Sequence, residues 1–184
     1  MKKIILSLLA CIAIMPLFAQ EEAKNEPEFV GQVNLIQGEQ VTPLERKYVK
    51  TENTEGKSIA GISVKSAKTK IELDGGKSPV RASESDNFHL IVRAPSNEAD
   101  PITVINIFKL KDSKKKRKAA AELGTFGSNT EGLDLLNYTA KRYGKSSYLI
   151  TLMEKPAGEY GIIVNNPDSK DKKRVLVSCF GIDL

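Results

Sequence analysis

Two clusters of basic residues are the most prominent chemical feature of this sequence. The first cluster has seven Lys and Arg residues between positions 109 and 118, and the second has four between positions 170 and 174. Such clusters attract polyanions, because the potentials of neighbouring charges add. The residues that we predict to make these contacts are Lys114, Lys115, Lys116, Arg117, Lys172, Lys173 and Arg174.

The partners that this charge predicts are anionic glycans, the phosphates of lipopolysaccharide, or an envelope protein. Nucleic acid is not expected, because no aromatic residue is interleaved with the basic ones to stack on bases. If both clusters lie at the same end of the fold, they form one cationic patch. The alternative interpretation is that these residues only solvate turns and protect strand edges from aggregation.

The residue types that nucleophilic and metal-dependent catalysis require are scarce in this chain. His89 is the only histidine, and no G-x-S-x-G motif is present. His89 is predicted at an outward strand position, and Cys179 is predicted to be a small buried hydrophobic residue. One His and one Cys in distant strands do not make a zinc site. We therefore predict no metal and no cofactor.

Paired carboxylates are the remaining route to catalysis. Glycoside hydrolysis, for example, needs two acids in a cleft and a raised pKa on one of them. Glu72, Asp74 and Glu159 lie at alternating strand positions or in turns, and we expect them to be solvated. The sequence therefore favours a non-enzymatic protein, with a small secreted hydrolase that uses carboxylates as an alternative.

Residues 1–19 have the organisation of a secretory signal peptide. Two lysines precede an apolar stretch of 12 residues from Ile4 to Met15, and Ala19 is a small residue at the expected cleavage site. Export predicts a periplasmic or extracellular location, and a lipoprotein signal ending at Cys11 is the alternative. Removal of residues 1–19 lowers the net charge from +5 to +3, since 26 Lys and Arg then face 23 Asp and Glu.

The rest of the chain alternates apolar and polar residues with the period of two that is typical of β-strands. Phe88, Leu90 and Val92 share one face, for example, and His89 lies on the other. About nine to eleven such strands, separated by turn signals, predict an all-β antiparallel sandwich, immunoglobulin-like or jelly-roll-like. We place one sandwich domain at 28–184, after a flexible leader at 20–27.

Three segments carry more specific predictions. Alternation from Phe29 to Leu35 predicts an early strand, and the run Ile102–Leu110, apolar on both faces, predicts a central strand. The Lys- and Ala-rich segment Lys114–Leu123 has good helix propensity, but its lysines are unfavourable at a helix N-terminus. We favour a basic hairpin tip that leads into a returning strand over a helix.

Five short motifs resemble a family of secreted β-sandwich proteins of the Bacteroidetes whose function is unknown. The segments that carry the resemblance are Phe29–Val33, Gly76–Arg81, Phe88–Arg93, Lys155–Tyr160 and Cys179–Asp183. The resemblance implies a Gram-negative envelope setting and a β-rich fold. It implies no activity and transfers no functional residue.

We therefore predict a secreted or periplasmic, non-enzymatic β-sandwich module that acts as a binding or accessory protein of the cell envelope. Besides the hydrolase, a structural partner domain of a surface assembly is an alternative. An exposed apolar patch would favour that alternative.

Overall fold

A computed structural model of the chain describes residues 23–50, 68–122, 132–167 and 174–184. The predicted signal peptide, the predicted strand around Ile62 and Val64, and the predicted contact residues Lys172 and Lys173 lie outside these ranges. Twelve strands and one helical turn are present in the described residues. They are β1 (Val33–Gln37), β2 (Gln40–Pro43), β3 (Glu45–Lys50), β4 (Lys68–Asp74), β5 (Arg81–Ser83), β6 (Phe88–Arg93), α1 (Pro101–Val104), β7 (Ile105–Asp112), β8 (Lys116–Glu122), β9 (Tyr138–Tyr143), β10 (Ser147–Leu152), β11 (Gly158–Val164) and β12 (Arg174–Asp183).

The strands form two sheets in one domain, which confirms the all-β antiparallel prediction. The first sheet has the order β2-β1-β6-β10-β9. The second has the order β3-β12-β11-β7-β8-β4, and β5 adds to β12 as a short parallel strand. The strands β2 and β9 had no clear alternation in the sequence, because both lie at sheet edges and bury few side chains.

The main hydrophobic core lies between the inward faces of the two sheets. The first sheet contributes side chains such as Leu90 and Ile150, both with no measurable exposure. The second sheet contributes Ile107, Tyr160 and Phe180, and the rings of Tyr160 and Phe180 stack with centroids 5.3 Å apart. Alternation with a period of two explains this assignment, since every second residue of each strand faces the other sheet.

A second core covers the opposite face of the second sheet. The antiparallel pair of β4 and β8 folds over this face, because β8 pairs with β7 over only two residues and then separates from it. This buries Ile71 and Leu73 against Phe108 and Cys179. As a result, β3 and β4, at the two ends of the sheet order, contact each other. The strand β7 is therefore buried on both faces, as its sequence predicted.

Two predicted strand boundaries are wrong. Residues 29–32 form turns, and β1 begins only at Val33, because Gly31 adopts a left-handed φ of +80° that a strand does not allow. The run predicted as a strand from Ile102 begins instead with the helical turn α1. Asp100 caps this turn by accepting a hydrogen bond from the Ile102 amide at 3.1 Å, and the Ile102 side chain is exposed.

The segment with helix propensity is a hairpin, as we favoured. Strands β7 and β8 are joined by a two-residue turn at Lys114 and Lys115, and Ser113 closes it by donating its amide to the carbonyl oxygen of Lys116 at 2.8 Å. The Ser113 hydroxyl also accepts the Lys116 amide at 3.2 Å. Serine competes for backbone groups in this way, which favours a turn over a helix at this position.

Residues 23–27, which we call the strap, belong to the segment that we expected to be a flexible leader. They pack instead against one end of the first sheet. The Asn34 side chain donates to the carbonyl oxygen of Asn25 at 3.0 Å, and the Tyr143 hydroxyl donates to that of Lys24 at 2.5 Å. Pro27 is buried. The described domain therefore begins at residue 23, upstream of the predicted boundary.

Candidate functional site

Four exposed lysines on the β7–β8 hairpin form the feature that we call the cationic ridge. Lys109 and Lys111 lie two residues apart on one face of β7, and Lys114 and Lys115 form the turn that follows. Within the described ranges, no carboxylate lies within ion-pair distance of any of the four. Their charges are therefore available to an external anion.

The other cations of the same cluster already have carboxylate partners. Glu72 on β4 forms ion pairs with Lys116 and with Lys118, the latter at 3.3 Å. Hydrogen bonds from Lys116 and then Lys118 lower the pKa of Glu72, and the bond to Glu72 raises the pKa of Lys116. The predicted contact residue Lys116 is thus partly neutralised by its neighbour, whereas Lys114 and Lys115 have no carboxylate partner among the described residues.

Arg117 was predicted to contact a polyanion, but its side chain is only 1% exposed. Its Nε donates to the carbonyl oxygen of Gly75 at 3.0 Å, and its Nη2 donates to Glu45 at 2.9 Å and to the carbonyl oxygen of Asp74 at 3.2 Å. The alternation of β8 explains the position, because Arg117 shares the inward face with Ala119, while Lys116 and Lys118 face outward. Arg117 therefore stabilises the base of the β7–β8 hairpin from its buried face.

Arg117 belongs to an ion cluster at the base of the hairpin, in which Arg117 and Glu159 are buried and Glu45, Arg81 and Asp183 are partly exposed. Glu159, expected to be solvated, is buried. One of its oxygens accepts from Arg81 at 2.5 Å, and the other lies 4.0 Å from the Arg117 guanidinium. Arg81 also holds Asp183 through two bonds of 2.7 Å. Its guanidinium fits there because Gly181 lacks a side chain that would overlap it.

Hydrogen bonding within the ion cluster shifts the pKa values of two of its members. Hydrogen bonding to Asp183, followed by hydrogen bonding to Glu159, raises the pKa of Arg81, although burial opposes this. Hydrogen bonding to Arg81 lowers the pKa of Asp183. The two oxygens of Glu159 accept from the Arg81 guanidinium and from the Ser78 amide at 2.7 Å, so this carboxylate joins β11 to β5 and to the loop before it. Glu72 and Asp74, by contrast, are exposed, as predicted.

The turn of the ridge is held by a second loop, at Gly75 and Gly76. Gly75 has a φ of +87° and donates its amide to the carbonyl oxygen of Lys115 at 2.8 Å. Gly76 lies so close to the turn that a Cβ atom would overlap the carbonyl oxygen of Ser113. These contacts require glycine and leave the backbone of Lys114 and Lys115 little freedom.

The β7–β8 turn and the start of β12 lie at opposite ends of the second sheet. Leu110, near the end of β7, is opposite Glu159 at the start of β11, whereas Val164 at the end of β11 is opposite Ile105. The two ends are separated by the length of β11, about 23 Å. Arg174, the described member of the second predicted set, begins β12 at the end away from the β7–β8 turn.

The isolated candidates for chemistry have structural positions. His89 lies on the outer face of the first sheet, with its Nδ1 3.0 Å from the Thr151 hydroxyl. Cys179 is fully buried, and burial raises the pKa of its thiol to about 12. Tyr148 and Tyr160 are core residues, as predicted. Among the described residues, no group of three or more His, Cys, Asp or Glu side chains is arranged to hold a metal ion.

A shallow groove of about 400 Å³ lies beside α1, between β7 and the segment that leads into β9. Its rim carries two exposed apolar side chains, Ile102 at 70% and Leu135 at 48% of full exposure. Three amides, of Asn106, Asn137 and Asn165, also line it. An exposed apolar patch is what the partner-domain alternative calls for, and this one is small.

All four lysines of the ridge lie in the first basic cluster of the sequence, but only Lys114 and Lys115 were among the predicted contact residues. Lys109 and Lys111 were part of the first basic cluster, yet we placed the contacts at the turn and in the following residues. The period of two separates Lys116 and Lys118 from Arg117, and it could have shown that Arg117 faces inward. The pairing of Glu72 with two of the lysines could not be read without the strand register.

Comparison with protein-family models, with characterised proteins and with solved structures gives no match to this chain. Within the residues that the structure describes, there is no helix of the length and apolar character that a membrane span requires.

Proposed function

We propose that this chain is a non-enzymatic β-sandwich module of the cell envelope that binds polyanions through the cationic ridge. The observation that supports this proposal is the presence of four exposed lysines, for which the described part of the chain holds no carboxylate partner, on a hairpin held by the ion cluster and by the Gly75–Gly76 loop. Lysines that only solvate a turn would not need a hairpin whose backbone is held in place by buried contacts. An exported location, periplasmic or extracellular, follows from the predicted signal peptide and belongs to the proposal.

The strand register gives a further reason. Lys111 on β7 is directly opposite Lys118 on β8. Like charges directly opposite each other destabilise an antiparallel pair, and Glu72 relieves this repulsion only on the side of Lys118. A phosphate, sulfate or carboxylate group of a ligand would neutralise Lys111. Binding would therefore relieve a repulsion that the unbound fold retains.

The hydrolase alternative has less support. Glu45 and Glu159 lie on two sides of Arg117, but they are held by fixed donors in the ion cluster. A general acid needs a raised pKa and access to a substrate. Glu159 is buried, and its two oxygens accept from the Ser78 amide and from Arg81, so it has no access to a substrate.

The proposal can be tested with charge-matched variants. Substitution of Lys111, Lys114 and Lys115 by Gln removes three free cations of the ridge. At about 1 kcal/mol for each lysine near an anionic surface, the affinity for heparin or lipopolysaccharide should fall about a hundredfold at low salt. The affinity is measured by isothermal titration calorimetry across a series of salt concentrations.

The control variant removes the same charge elsewhere. Lys24, Lys141 and Lys145 are exposed, and they lie at the strap end of the first sheet. Their substitution by Gln should leave the affinity within about threefold of the wild type, because each charge is more than a Debye length of about 8 Å from the ridge. Equal losses in the two variants would show only a response to net charge. Unchanged binding by the ridge variant would refute the proposal.

A further inference from the structure

The arrangement of charge on the hairpin points to the shape of the ligand. We infer that the cationic ridge takes a linear anionic polymer that lies along β7 and over the turn, with the acidic residues of β4 marking its lateral boundary. This inference depends on the proposed function and names the class of polyanion: a chain with regularly spaced sulfate, phosphate or carboxylate groups.

The length of the ridge is the first argument. Lys109 and Lys111 are separated by about 7 Å along β7, and four residues, about 14 Å, separate Lys109 from Ser113 at the base of the turn that carries Lys114 and Lys115. A single phosphate or sulfate group reaches only neighbouring ammonium groups. A compact anion would therefore leave most of the ridge without a partner, whereas a chain with repeated charges would contact all four lysines.

The distribution of charge across the hairpin is the second argument. In the strand register Lys111, Lys118 and Glu72 lie side by side, and in the next row Lys116 lies beside Asp74. The charge thus changes from positive on β7 to negative on β4 within three strands, about 10 Å. Because Lys116 and Lys118 are balanced by Glu72 and Asp74, these two strands add no net attraction for a broad anionic surface such as a bilayer. A narrow chain that follows β7 would avoid them.

The third argument is that the ridge is preorganised. The Gly75 amide and the Arg117 side chain hold the turn and the base of the hairpin. Because the backbone is already held, binding orders only the lysine side chains, and the fixed spacing of their Cα atoms lets successive anions of a polymer add their contacts in register.

The inference is tested with heparin-derived oligosaccharides from two to twelve sugar units. For the wild type we expect the affinity to rise with length until the chain spans the ridge, and then to stay constant after correction for the number of sites. Substitution of Lys109 and Lys111 by Gln should lower the affinity for the longest chain about thirtyfold, which corresponds to two lysine contacts. The same variant should bind the disaccharide within about threefold of the wild type, because the turn lysines remain.

The boundary is tested separately. Glu72→Gln should raise the affinity for the longest chain, because Lys116 and Lys118 become available, and it should steepen the dependence of log K on log salt by up to two further cations. The matched control is Glu84→Gln, an exposed residue outside the hairpin that carries no lysine partner within the described part of the chain. An unchanged affinity and salt dependence in Glu72→Gln would overturn the boundary.

Further outcomes separate this inference from the proposed function. If the wild type binds none of heparin, polyphosphate or vesicles of phosphatidylglycerol, the proposed function itself is wrong. If the disaccharide binds as tightly as the longest chain, the site is compact and the linear ligand is wrong, while polyanion binding stands. Tighter binding to vesicles than to heparin, unaffected by Lys109 and Lys111, would show that the ligand is a membrane surface.

Discussion

The contacts of Glu26 in the strap give a prediction about stability. Its carboxylate accepts three hydrogen bonds at the end of the first sheet, from the amides of Lys145 at 3.1 Å and Ser146 at 3.0 Å and from the Ser147 hydroxyl at 2.8 Å, and it forms an ion pair with the Arg93 guanidinium at 2.7 Å. Glu26 itself is only 11% exposed. The substitution Glu26→Gln keeps the shape of the side chain and removes its charge.

The expected cost follows from these bonds. The Gln amide nitrogen must replace one of the two oxygens, so at least one donor among these partners loses its acceptor. An unpaired buried donor costs about 1–3 kcal/mol, and the bond to Arg93 loses its charge assistance. We therefore expect a loss of about 3 kcal/mol in the free energy of unfolding. For a domain of this size the melting temperature should fall by about 9 °C.

The dependence on pH provides an independent check. Burial raises the pKa of Glu26, but the hydrogen bonds from Ser146, Lys145 and Ser147, together with Arg93, outweigh it, and the pKa lies below its ordinary value of 4.5. A group with a depressed pKa in the folded state stabilises the protein above the pKa of the unfolded chain. That contribution is lost as the pH falls through the lower, folded value. The difference between wild type and Glu26→Gln should therefore be full at pH 7 and should shrink below pH 4.5.

The measurement is urea unfolding followed by far-ultraviolet circular dichroism at pH 7 and at several acidic values. The control is Glu28→Gln, which removes the same charge from an exposed position two residues away. If Glu26→Gln and Glu28→Gln unfold at the same urea concentration at pH 7, the strap does not stabilise the domain. The reasoning from its contacts would then be refuted.

Three further substitutions or probes test the support of the hairpin and the second core. Arg117→Met removes the charge between Glu45 and Glu159, so we expect a loss of about 3–5 kcal/mol in urea unfolding, and a loss below 1 kcal/mol would contradict the importance of the ion cluster. Gly76→Ala forces the turn away from the second loop, which should cost about 1–3 kcal/mol and weaken heparin binding without any change of charge. Because burial raises the pKa of Cys179 to about 12, a thiol reagent at pH 8 should react only as fast as the protein unfolds, and rapid labelling of the native protein would disprove its burial.

The sequence was sufficient for those parts of the fold that depend on local pattern. The alternation around Leu90 and Ile162 predicted strands and their buried faces, because every second residue must face the core. The run of basic residues from Lys114 to Lys118, unfavourable at a helix N-terminus, favoured a hairpin over a helix. The same reasoning failed at Ile102, where Asp100 and Pro101 start a helical turn that apolar periodicity does not reveal.

The candidate site could be predicted only in part. Contacts between residues that are far apart in sequence decide which of its charged side chains are buried or paired. Glu159 was expected to be solvated, but it meets Arg81 across 78 positions of the chain. The partner of Lys116 is Glu72, 44 positions away. Whether a lysine is free or paired depends on the strand order, and a single sequence does not specify that order.

The strap and the cationic ridge lie at different ends of the module. The strap joins β1 through Gly31, whose carbonyl oxygen accepts from Ser178 in the first half of β12, while the ridge lies beyond the other end of that strand. Because β12 continues for five residues from Ser178 to its end at Asp183, the ridge lies at least about 17 Å from this contact along the sheet. The strap is therefore anchored away from the ridge, and the ridge lies at the other end of β12. A polyanion held by the ridge would be kept at a fixed distance from whatever lies at the strap, as by a spacer.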